Sequence, residues 1–183
     1  MKISSLARRA TTDIAPLFVA LVGLRCSGAM PPVRDPGLTA VEQTAAAPVT
    51  FAFDSLDERI VNAAATRGKP TVLAFVTTDS LAAQAQVDFL VAMAKRDATA
   101  VNYVIVAIGA QDTRELVDLY RRALHVPFPV ALADSTTSTG AGPFGDVRAV
   151  PVTVVLDREG RIVWRSDGRV AKSPELRAAM VGL

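Results

Sequence analysis

Residues 69–84 read Lys-Pro-Thr-Val-Leu-Ala-Phe-Val-Thr-Thr-Asp-Ser-Leu-Ala-Ala-Gln, a strand pattern that is followed at once by a helix pattern. The run Thr71–Val76 is apolar and β-branched, which is typical of a strand buried in the centre of a sheet. The polar residues 77–79 end this strand. Ser80 then precedes an apolar-periodic segment over residues 81–95, which predicts a helix. A strand that leads directly into a helix is the first half of a βαβ unit.

Further strand and helix patterns alternate along the chain on both sides of this unit. Before it, the capping-box pattern of Ser55 and Glu58 predicts a helix that ends at Gly68. After it, we predict a strand at 101–108, a helix at 113–124 capped by Asp112, and a short strand at 128–132. A loop at 134–143 and a helical turn at 144–149 are expected next, followed by a hairpin of strands 152–156 and 161–165. The last predicted element is a helix with Ser173 at its N-cap and Pro174 at N1. Alternating strands and helices predict parallel strands with right-handed crossovers, and the hairpin predicts an antiparallel edge. The expected fold is therefore an α/β sandwich with a mixed central sheet, a C-terminal antiparallel hairpin and a final helix.

Helical spacing also predicts which side of each helix faces the core. Apolar residues recur every three or four positions in the helix at 81–95, and the predicted buried face consists of Leu81, Ala85, Phe89 and Ala92, widened by Val87, Leu90, Val91 and Ala94. The same argument for the helix at 113–124 selects Leu116, Leu119, Tyr120 and Ala123. We expect Phe144 and Trp164 to pack in the core or at its edge.

Three stretches together resemble the thioredoxin superfamily, in particular its exported, membrane-tethered thiol:disulfide oxidoreductases of the cytochrome-maturation type. They are residues 68–76, residues 128–134, and residues 147–151 followed by the hairpin. The resemblance covers residues 49–183, with a more distant similarity to peroxiredoxins at Thr77. It implies a thioredoxin-like fold in which a cis peptide bond joins Val150 to Pro151 and lies close to Ser80.

The resemblance also implies a Cys-x-x-Cys motif at the start of the helix, where this sequence has Ser80-Leu81-Ala82-Ala83. Dithiol exchange needs one thiolate to attack and a second thiol to release the mixed disulfide, and Ser80 and Ala83 supply neither. Asp79 adds a negative charge that opposes the lowered pKa of an active-site cysteine. The simplest interpretation of Asp79 and Ser80 is that they cap the helix. No catalytic residue is assigned.

Other site chemistries have little support in the sequence. His125, the single histidine, precedes Val126-Pro127 at a helix-to-strand connection, which predicts a surface loop, and no Gly-x-Ser-x-Gly motif accompanies Ser80. A Ser–His hydrolase is therefore not expected. One histidine and one cysteine, with no cluster of carboxylates at ligand spacing, predict neither a metal site nor a cofactor.

The formal net charge of +2 does not indicate a nucleic-acid partner. Four of the 20 basic residues and one of the 18 acidic residues lie within the first 26 positions. The remaining chain carries 16 basic and 17 acidic residues, which are interspersed and form no basic stripe.

Residues 1–30 have the pattern of an export signal. Lys2, Arg8 and Arg9 give a positive start, and residues 14–24 form an apolar segment too short to span a bilayer. These features predict a chain that acts outside the cytoplasm, in the periplasm or on the membrane of a bacterial envelope.

Two alternatives remain for how the leader is processed. Cys26 can be the lipidated first residue of a lipoprotein, although Gly23 and Arg25 depart from the usual lipidation motif, or ordinary cleavage can follow the small-x-small residues 27–29. Proline and small residues at 31–48 predict a linker, and residues 49–183 are the predicted domain.

Two functional hypotheses follow from these observations. The first is a non-catalytic binding or chaperone-like module, in which main-chain groups at Val150 and Pro151 pair with an extended extracytoplasmic protein or peptide. The second is a thioredoxin-family oxidoreductase or antioxidant protein that uses a partner's thiol. A lipid anchor at Cys26 would add the membrane as a partner.

Overall fold

A mixed β-sheet organises the chain in the computed structural model, which describes residues 47–97 and 99–183. The strands are β1 Ala52–Ser55, β2 Val61–Asn62, β3 Thr71–Val76, β4 Asn102–Ala107, β5 Val130–Leu132, β6 Val152–Leu156 and β7 Ile162–Ser166. The helices are α1 Ala63–Thr66, α2 Leu81–Asp97, α3 Arg114–Ala123, α4 Ser135–Ser138 and α5 Ser173–Ala179. The seven strands lie in the order β2-β1-β5-β4-β3-β6-β7.

The register of the central strands confirms the predicted topology. β3 pairs in parallel with β4 and antiparallel with β6, and β6 pairs antiparallel with β7. All six residues of β3 are buried, as its apolar run predicts. Phe75 pairs with Val152, so the residues that follow β3 and those that precede β6 meet at one end of the sheet.

The core has one layer on each face of the sheet. Helices α2, α3 and α5 cover one face, to which they contribute Val87, Leu90, Val117 and Leu176. Four phenylalanines, Phe51, Phe53, Phe75 and Phe144, pack on the other face with ring centroids 5.1 to 6.2 Å apart. Phe144 therefore lies in the core as predicted, and the half-buried Trp164 packs against the helix-covered layer.

The helix predicted from Ser55 to Gly68 is wrong. Ser55 ends β1, where it pairs with Ala131 of β5, and the chain bends before the short β2 and α1. The Ser55 hydroxyl donates to Asp57, whose carboxylate accepts the Arg59 amide at 3.0 Å. Sheet pairing by β1 therefore prevails over the local capping-box pattern, and the cap of α1 is Asn62.

The predicted buried face of α2 is wrong at its centre, Leu81, Ala85, Phe89 and Ala92, whereas Val87, Leu90 and Val91, which were predicted to widen it, are buried. Leu81 is 82% exposed and Phe89 is 43% exposed. The buried residues are Ala83, Gln86, Val87, Leu90, Val91 and Met93. Apolar residues surround this alanine-rich helix, so spacing alone did not select one face. Gln86 is buried because its side chain accepts from the Ala171 amide at 2.6 Å and donates back to the Ala171 carbonyl at 3.4 Å.

The predicted inward face of α3 needs a similar correction. Val117 is its buried residue, whereas Leu116 is 40% and Leu119 is 63% exposed. Ala123 is exposed as well, and Tyr120 is half-buried. Val117 is thus the only residue of α3 that is fully covered by the core, and beside it Asp118 pairs with Arg121 and Arg122.

Several boundaries differ from the sequence predictions because side chains bond elsewhere. Thr113 caps α3, since its hydroxyl accepts the Leu116 amide, and Lys172 takes the N-cap position of α5. Asp134 caps the short α4 inside the predicted loop, through a 2.6 Å bond from the Thr137 amide. Residues 144–149 form no helical turn.

The predictions for the N-terminal segment lie outside the described residues. They are the leader at residues 1–30, the processing of Cys26, and all but the last two residues of the linker at 31–48. Among the helices of residues 47–97 and 99–183, none combines the length and apolarity needed to cross a bilayer.

Candidate functional site

Three loop segments meet at one end of the sheet. Residues 77–80 follow β3, residues 109–112 follow β4, and residues 148–151 precede β6. β3 and β4 are parallel, so their carboxyl ends share an edge, and the antiparallel β6 starts at that same edge. The carboxyl ends of parallel strands are a common position for binding sites in α/β folds.

Ser80 is engaged in capping α2. Its hydroxyl accepts the Ala83 amide at 3.2 Å, and its carbonyl accepts the Gln84 amide at 2.9 Å. Ala83 is fully buried. The capping interpretation of Ser80 is therefore confirmed. For Asp79 it is wrong, because the Asp79 carboxylate accepts a 2.8 Å hydrogen bond from the Gln111 side chain and none from the helix.

Asp112 joins the segments that follow β3 and β4. One carboxylate oxygen accepts from the Thr78 hydroxyl at 2.6 Å and the Thr78 amide at 3.3 Å. The other accepts from the Gly109 amide at 2.9 Å. Asp112 is only 8% exposed, and these three donors compensate for burying its charge. Residues 77–79 and 109–112 form a rim beside Ser80. The bonds of Asp112 and the hydrogen bond between Gln111 and Asp79 hold this rim in one arrangement before any partner binds.

The sequence reasoning missed both of these contacts. The sequence pattern predicts Asp112 as the cap of α3, a position that Thr113 occupies, and it predicts no contact for Gln111. A usable signal was present, because polar residues that directly follow two adjacent parallel strands end at the same edge of the sheet. Residues 77–79 follow β3 and residues 109–112 follow β4.

The peptide bond between Val150 and Pro151 is cis, as predicted. The main chain around it is less free than the sequence analysis expected. The Val150 amide donates to the Arg148 carbonyl at 3.0 Å, and the Ala149 carbonyl accepts from Gly168 at 2.7 Å. The Val150 carbonyl accepts no hydrogen bond from any residue of the described ranges.

Two arginines hold the segment that leads into this loop. The Arg165 guanidinium donates to the carbonyls of Phe144 and Asp146 and pairs with Asp167. Arg148 pairs with Asp146, and the hydrogen bond from its guanidinium keeps the pKa of that carboxyl well below its usual range. The buried Phe144 ring anchors the segment from below.

The remaining candidate chemistry does not converge on this edge. His125 is exposed, follows α3 with a φ of 50°, and its ring makes no hydrogen bond to Ser80 in the described part of the chain. Residues 47–97 and 99–183 contain no group of three or more His, Cys, Asp or Glu side chains that is arranged to hold a metal ion.

No protein-family model matches the chain, and no curated protein sequence does. Solved structures do match. A thio-disulfide isomerase from Thermus thermophilus is 27% identical with a TM-score of 0.58, and the match covers 74% of this chain and 94% of that one. A DsbF homologue from Corynebacterium diphtheriae is 17% identical with a TM-score of 0.66, over 81% and 96% of the two chains.

A third match is a secreted Mycobacterium tuberculosis disulfide oxidoreductase homologous to Escherichia coli DsbE. It is 20% identical with a TM-score of 0.59, and the match covers 73% of this chain and 96% of that one. These similarities confirm the predicted thioredoxin-like fold.

Proposed function

We propose that this chain, whose fold is that of the thioredoxin-like superfamily, is an extracytoplasmic binding module without thiol chemistry of its own. The observation that carries the proposal is the use of Ser80 as a helix cap. Its hydroxyl accepts the Ala83 amide at 3.2 Å, and the buried Ala83 offers no reactive group. The 183-residue chain has one cysteine, Cys26, so it has no pair of thiols for dithiol exchange.

The partner is an extended protein or peptide segment that lies beside Val150 and Pro151. The Val150 carbonyl has no partner within residues 47–97 and 99–183 and is available to accept a main-chain amide, as in strand addition. The Val150 amide joins that pairing only after it releases the Arg148 carbonyl.

Leu81 provides an apolar contact for the same partner. It directly follows Ser80 and is 82% exposed at the start of α2. The bonds between Thr78 and Asp112 and between Asp79 and Gln111 hold the adjacent rim in place. A pre-ordered surface loses less conformational entropy on binding, which favours affinity.

An extracytoplasmic location is part of the proposal. It is supported by the export pattern of residues 1–30 and by solved structures described as secreted, from Mycobacterium tuberculosis and Corynebacterium glutamicum. Lipidation of Cys26 and cleavage after Ala29 remain the two processing alternatives. Metabolic labelling with a fatty acid separates them, because label that is present in the native chain and absent from Cys26→Ala identifies the lipoprotein.

The second candidate is a thioredoxin-family oxidoreductase that acts with a partner's thiol. The observation that favours it is the set of matched structures described as disulfide isomerases or oxidoreductases. In this alternative the partner supplies the cysteines and this chain positions them.

Photo-crosslinking in cell-envelope extracts tests the proposal and its alternative together. A crosslinking amino acid at Leu81 should capture a partner, whereas one at the exposed Leu119 of α3 should not. Leu81→Asp should abolish pull-down of the same partner, and Leu119→Asp should leave it unchanged.

The redox properties of the complex decide between the two candidates. Under the proposal, capture is indifferent to reductant, and the native chain does not reduce insulin. Faster insulin reduction by the captured partner when the native chain is added, or a complex that dissociates with dithiothreitol, would favour the oxidoreductase. Equal crosslinking from positions 81 and 119 would show that the partner does not bind specifically at Leu81 and would contradict the proposed surface.

A further inference from the structure

A second cleft lies at the opposite end of the sheet from Ser80. It has a volume of about 410 Å³, and we call it the basal cleft. Asn102, the first residue of β4, lines it and pairs with Thr71 at the start of β3. The cleft is therefore at the amino ends of these parallel strands. Its volume is within the range of roughly 300–1,000 Å³ that is typical of small-molecule sites.

The basal cleft has an apolar and partly aromatic wall. The rings of Tyr103 and Phe128 pack with centroids 5.6 Å apart, and both residues line the cleft. Ile60 lies in the lining as well and is 71% exposed, so most of its side chain packs against nothing in the described part of the chain. Tyr103 and Phe128 are only 3% and 7% exposed and form the floor of the cleft, so Ile60 is the apolar side chain with the most surface accessible to a ligand.

The charged residues that line the basal cleft are both cationic, Arg59 and Lys69. Arg59 already has partners, because its Nε donates to Asp57 at 2.9 Å and its Nη1 donates to the Pro127 carbonyl at 2.8 Å. Lys69 makes no ion pair or side-chain hydrogen bond within residues 47–97 and 99–183. It is therefore the available positive charge of the cleft.

The amide of Asn102 does not compete with Lys69 for a ligand. Its Nδ2 donates to the Thr66 carbonyl at 3.1 Å and to the Thr71 hydroxyl at 3.3 Å. Both of its amide protons are thus directed into the protein. Recognition of a polar group in the basal cleft depends mainly on charge.

We propose that the basal cleft binds a small carboxylate with a planar or branched apolar body. Lys69 pairs with the carboxylate, and the apolar body packs against Ile60 over the small exposed edges of Tyr103 and Phe128. This site is independent of the proposed partner surface at Leu81 and Val150, because it lies at the other end of the strands. Its ligand is a free small molecule and not a peptide chain, because the Asn102 side chain and the Pro129 carbonyl are already bonded within the protein and Lys69 offers one free charge.

The probes for the test are indole-3-acetate and its uncharged isostere indole-3-acetamide. Both are titrated into the full ¹⁵N-labelled chain, and amide shifts are followed by NMR. The shifts should be confined to residues around the basal cleft, such as Ile60, Lys69 and Asn102. The acid should bind about two- to fivefold more tightly than the amide, which is the range for one exposed ion pair.

Matched variants identify the source of the preference. Lys69→Gln should make the acid and the amide equal. Lys95→Gln removes the same charge from an exposed lysine of α2 that does not line the cleft, and it should leave the preference intact. Ile60→Ser should weaken both probes by similar factors, because it removes an apolar contact that both ligands share.

Four results would overturn the proposal. They are the absence of shifts with either probe, shifts centred away from the cleft, equal affinity of the native chain for acid and amide, and equal effects of Lys69→Gln and Lys95→Gln. Because the readout is direct binding, these results leave the crosslinking test at Leu81 unaffected.

Discussion

The hydroxyl of Thr78 donates a 2.6 Å hydrogen bond to the carboxylate of Asp112, and this contact joins the segment after β3 to the segment after β4. The same carboxylate also accepts the amides of Thr78 and Gly109. One buried side chain thus holds the two polar turns that flank Ser80 in a single arrangement.

Asp112→Ala should lower the free energy of unfolding by about 2–4 kcal/mol, because it leaves several donors without a charged acceptor. Thr78→Val removes one of these bonds and keeps the side-chain shape, so it should cost about 1 kcal/mol. Urea unfolding measures both values. A cost for Asp112→Ala no greater than that for Thr78→Val would show that the carboxylate does not order the rim.

A side chain at position 109 should be accommodated without a large loss of stability only when Asp112 is replaced by alanine. A Cβ atom at Gly109 would lie 2.5 Å from Asp112 Oδ2, so Gly109→Ala must displace the carboxylate. We expect it to cost about 1–3 kcal/mol in the native background and much less in Asp112→Ala. A double-mutant cycle measures the difference, and strict additivity would mean that the two residues do not compete for the same space.

Ser80 should behave as a capping residue in mutagenesis. Ser80→Ala should lower the free energy of unfolding by about 1 kcal/mol, whereas Ser80→Asp should retain most of the stability, because a carboxylate also accepts the Ala83 amide. Thermal and urea unfolding provide the measurement. Partner capture from position 81 should survive both changes, and its loss in Ser80→Asp alone would indicate a role for the hydroxyl beyond capping.

A dithiol placed at the start of α2 should close. In a Cys26→Ser background, Ser80→Cys with Ala83→Cys should form an intrachain disulfide, because Cα atoms three positions apart at a helix start fall within the bonding range of roughly 4.4–6.8 Å. Thiol titration before and after reduction detects it, with each single cysteine variant as the control. Failure to close would argue against the alignment of Ser80 and Ala83 with Cys-x-x-Cys.

The reactivity of that engineered dithiol should be limited by Asp79. A neighbouring negative charge disfavours the thiolate, so adding Asp79→Ala should raise the rate of insulin reduction at neutral pH by about threefold or more. The pH dependence of alkylation of the cysteine at position 80 reports the thiolate directly. An unchanged alkylation profile would exclude this electrostatic effect.

The turn at Asp57 should contribute to acid sensitivity. The side-chain hydrogen bond from Arg59 holds the pKa of the Asp57 carboxyl below its ordinary value of 3.8. A carboxyl whose pKa is lowered by folding stabilises the protein above its unfolded pKa, and this contribution is lost as the pH falls through the folded value. Because the pair is substantially exposed, its contribution should be no more than about 1 kcal/mol.

Asp57→Asn should therefore lose less stability than the native chain between about pH 5 and about pH 2, as measured by urea unfolding at each pH. Asp88→Asn is the matched control, because Asp88 is an exposed carboxylate of α2 with no ion pair within residues 47–97 and 99–183. If the free energy of unfolding falls equally with decreasing pH in Asp57→Asn and in the native chain, the Arg59 contact does not stabilise the fold.

Local sequence was sufficient where one segment carried its own signal. The apolar, β-branched run predicted β3 residue for residue, because a strand buried on both faces has a nearly continuous apolar sequence. The start of α2 followed from Ser80, whose hydroxyl bonds to an amide only three positions away. The C-terminal hairpin was likewise predicted from a short, contiguous pattern. The cis bond before Pro151 was predicted from the resemblance to the thioredoxin superfamily.

Tertiary structure decided every feature whose partner is distant along the chain. Ser55 ended in a strand because β5, far along the chain, offers it a sheet partner, and Asp112 turned away from α3 because Thr78 and Gly109 supply donors for its charge. Apolar residues, many of them alanines, lie all around α2, so its sequence permits more than one buried face. In the folded chain the face that contains Leu81 is the exposed one. Gln86 selected among those faces by binding the Ala171 main chain, 85 residues away. A buried polar group must find a partner, and only the folded chain brings that partner within reach.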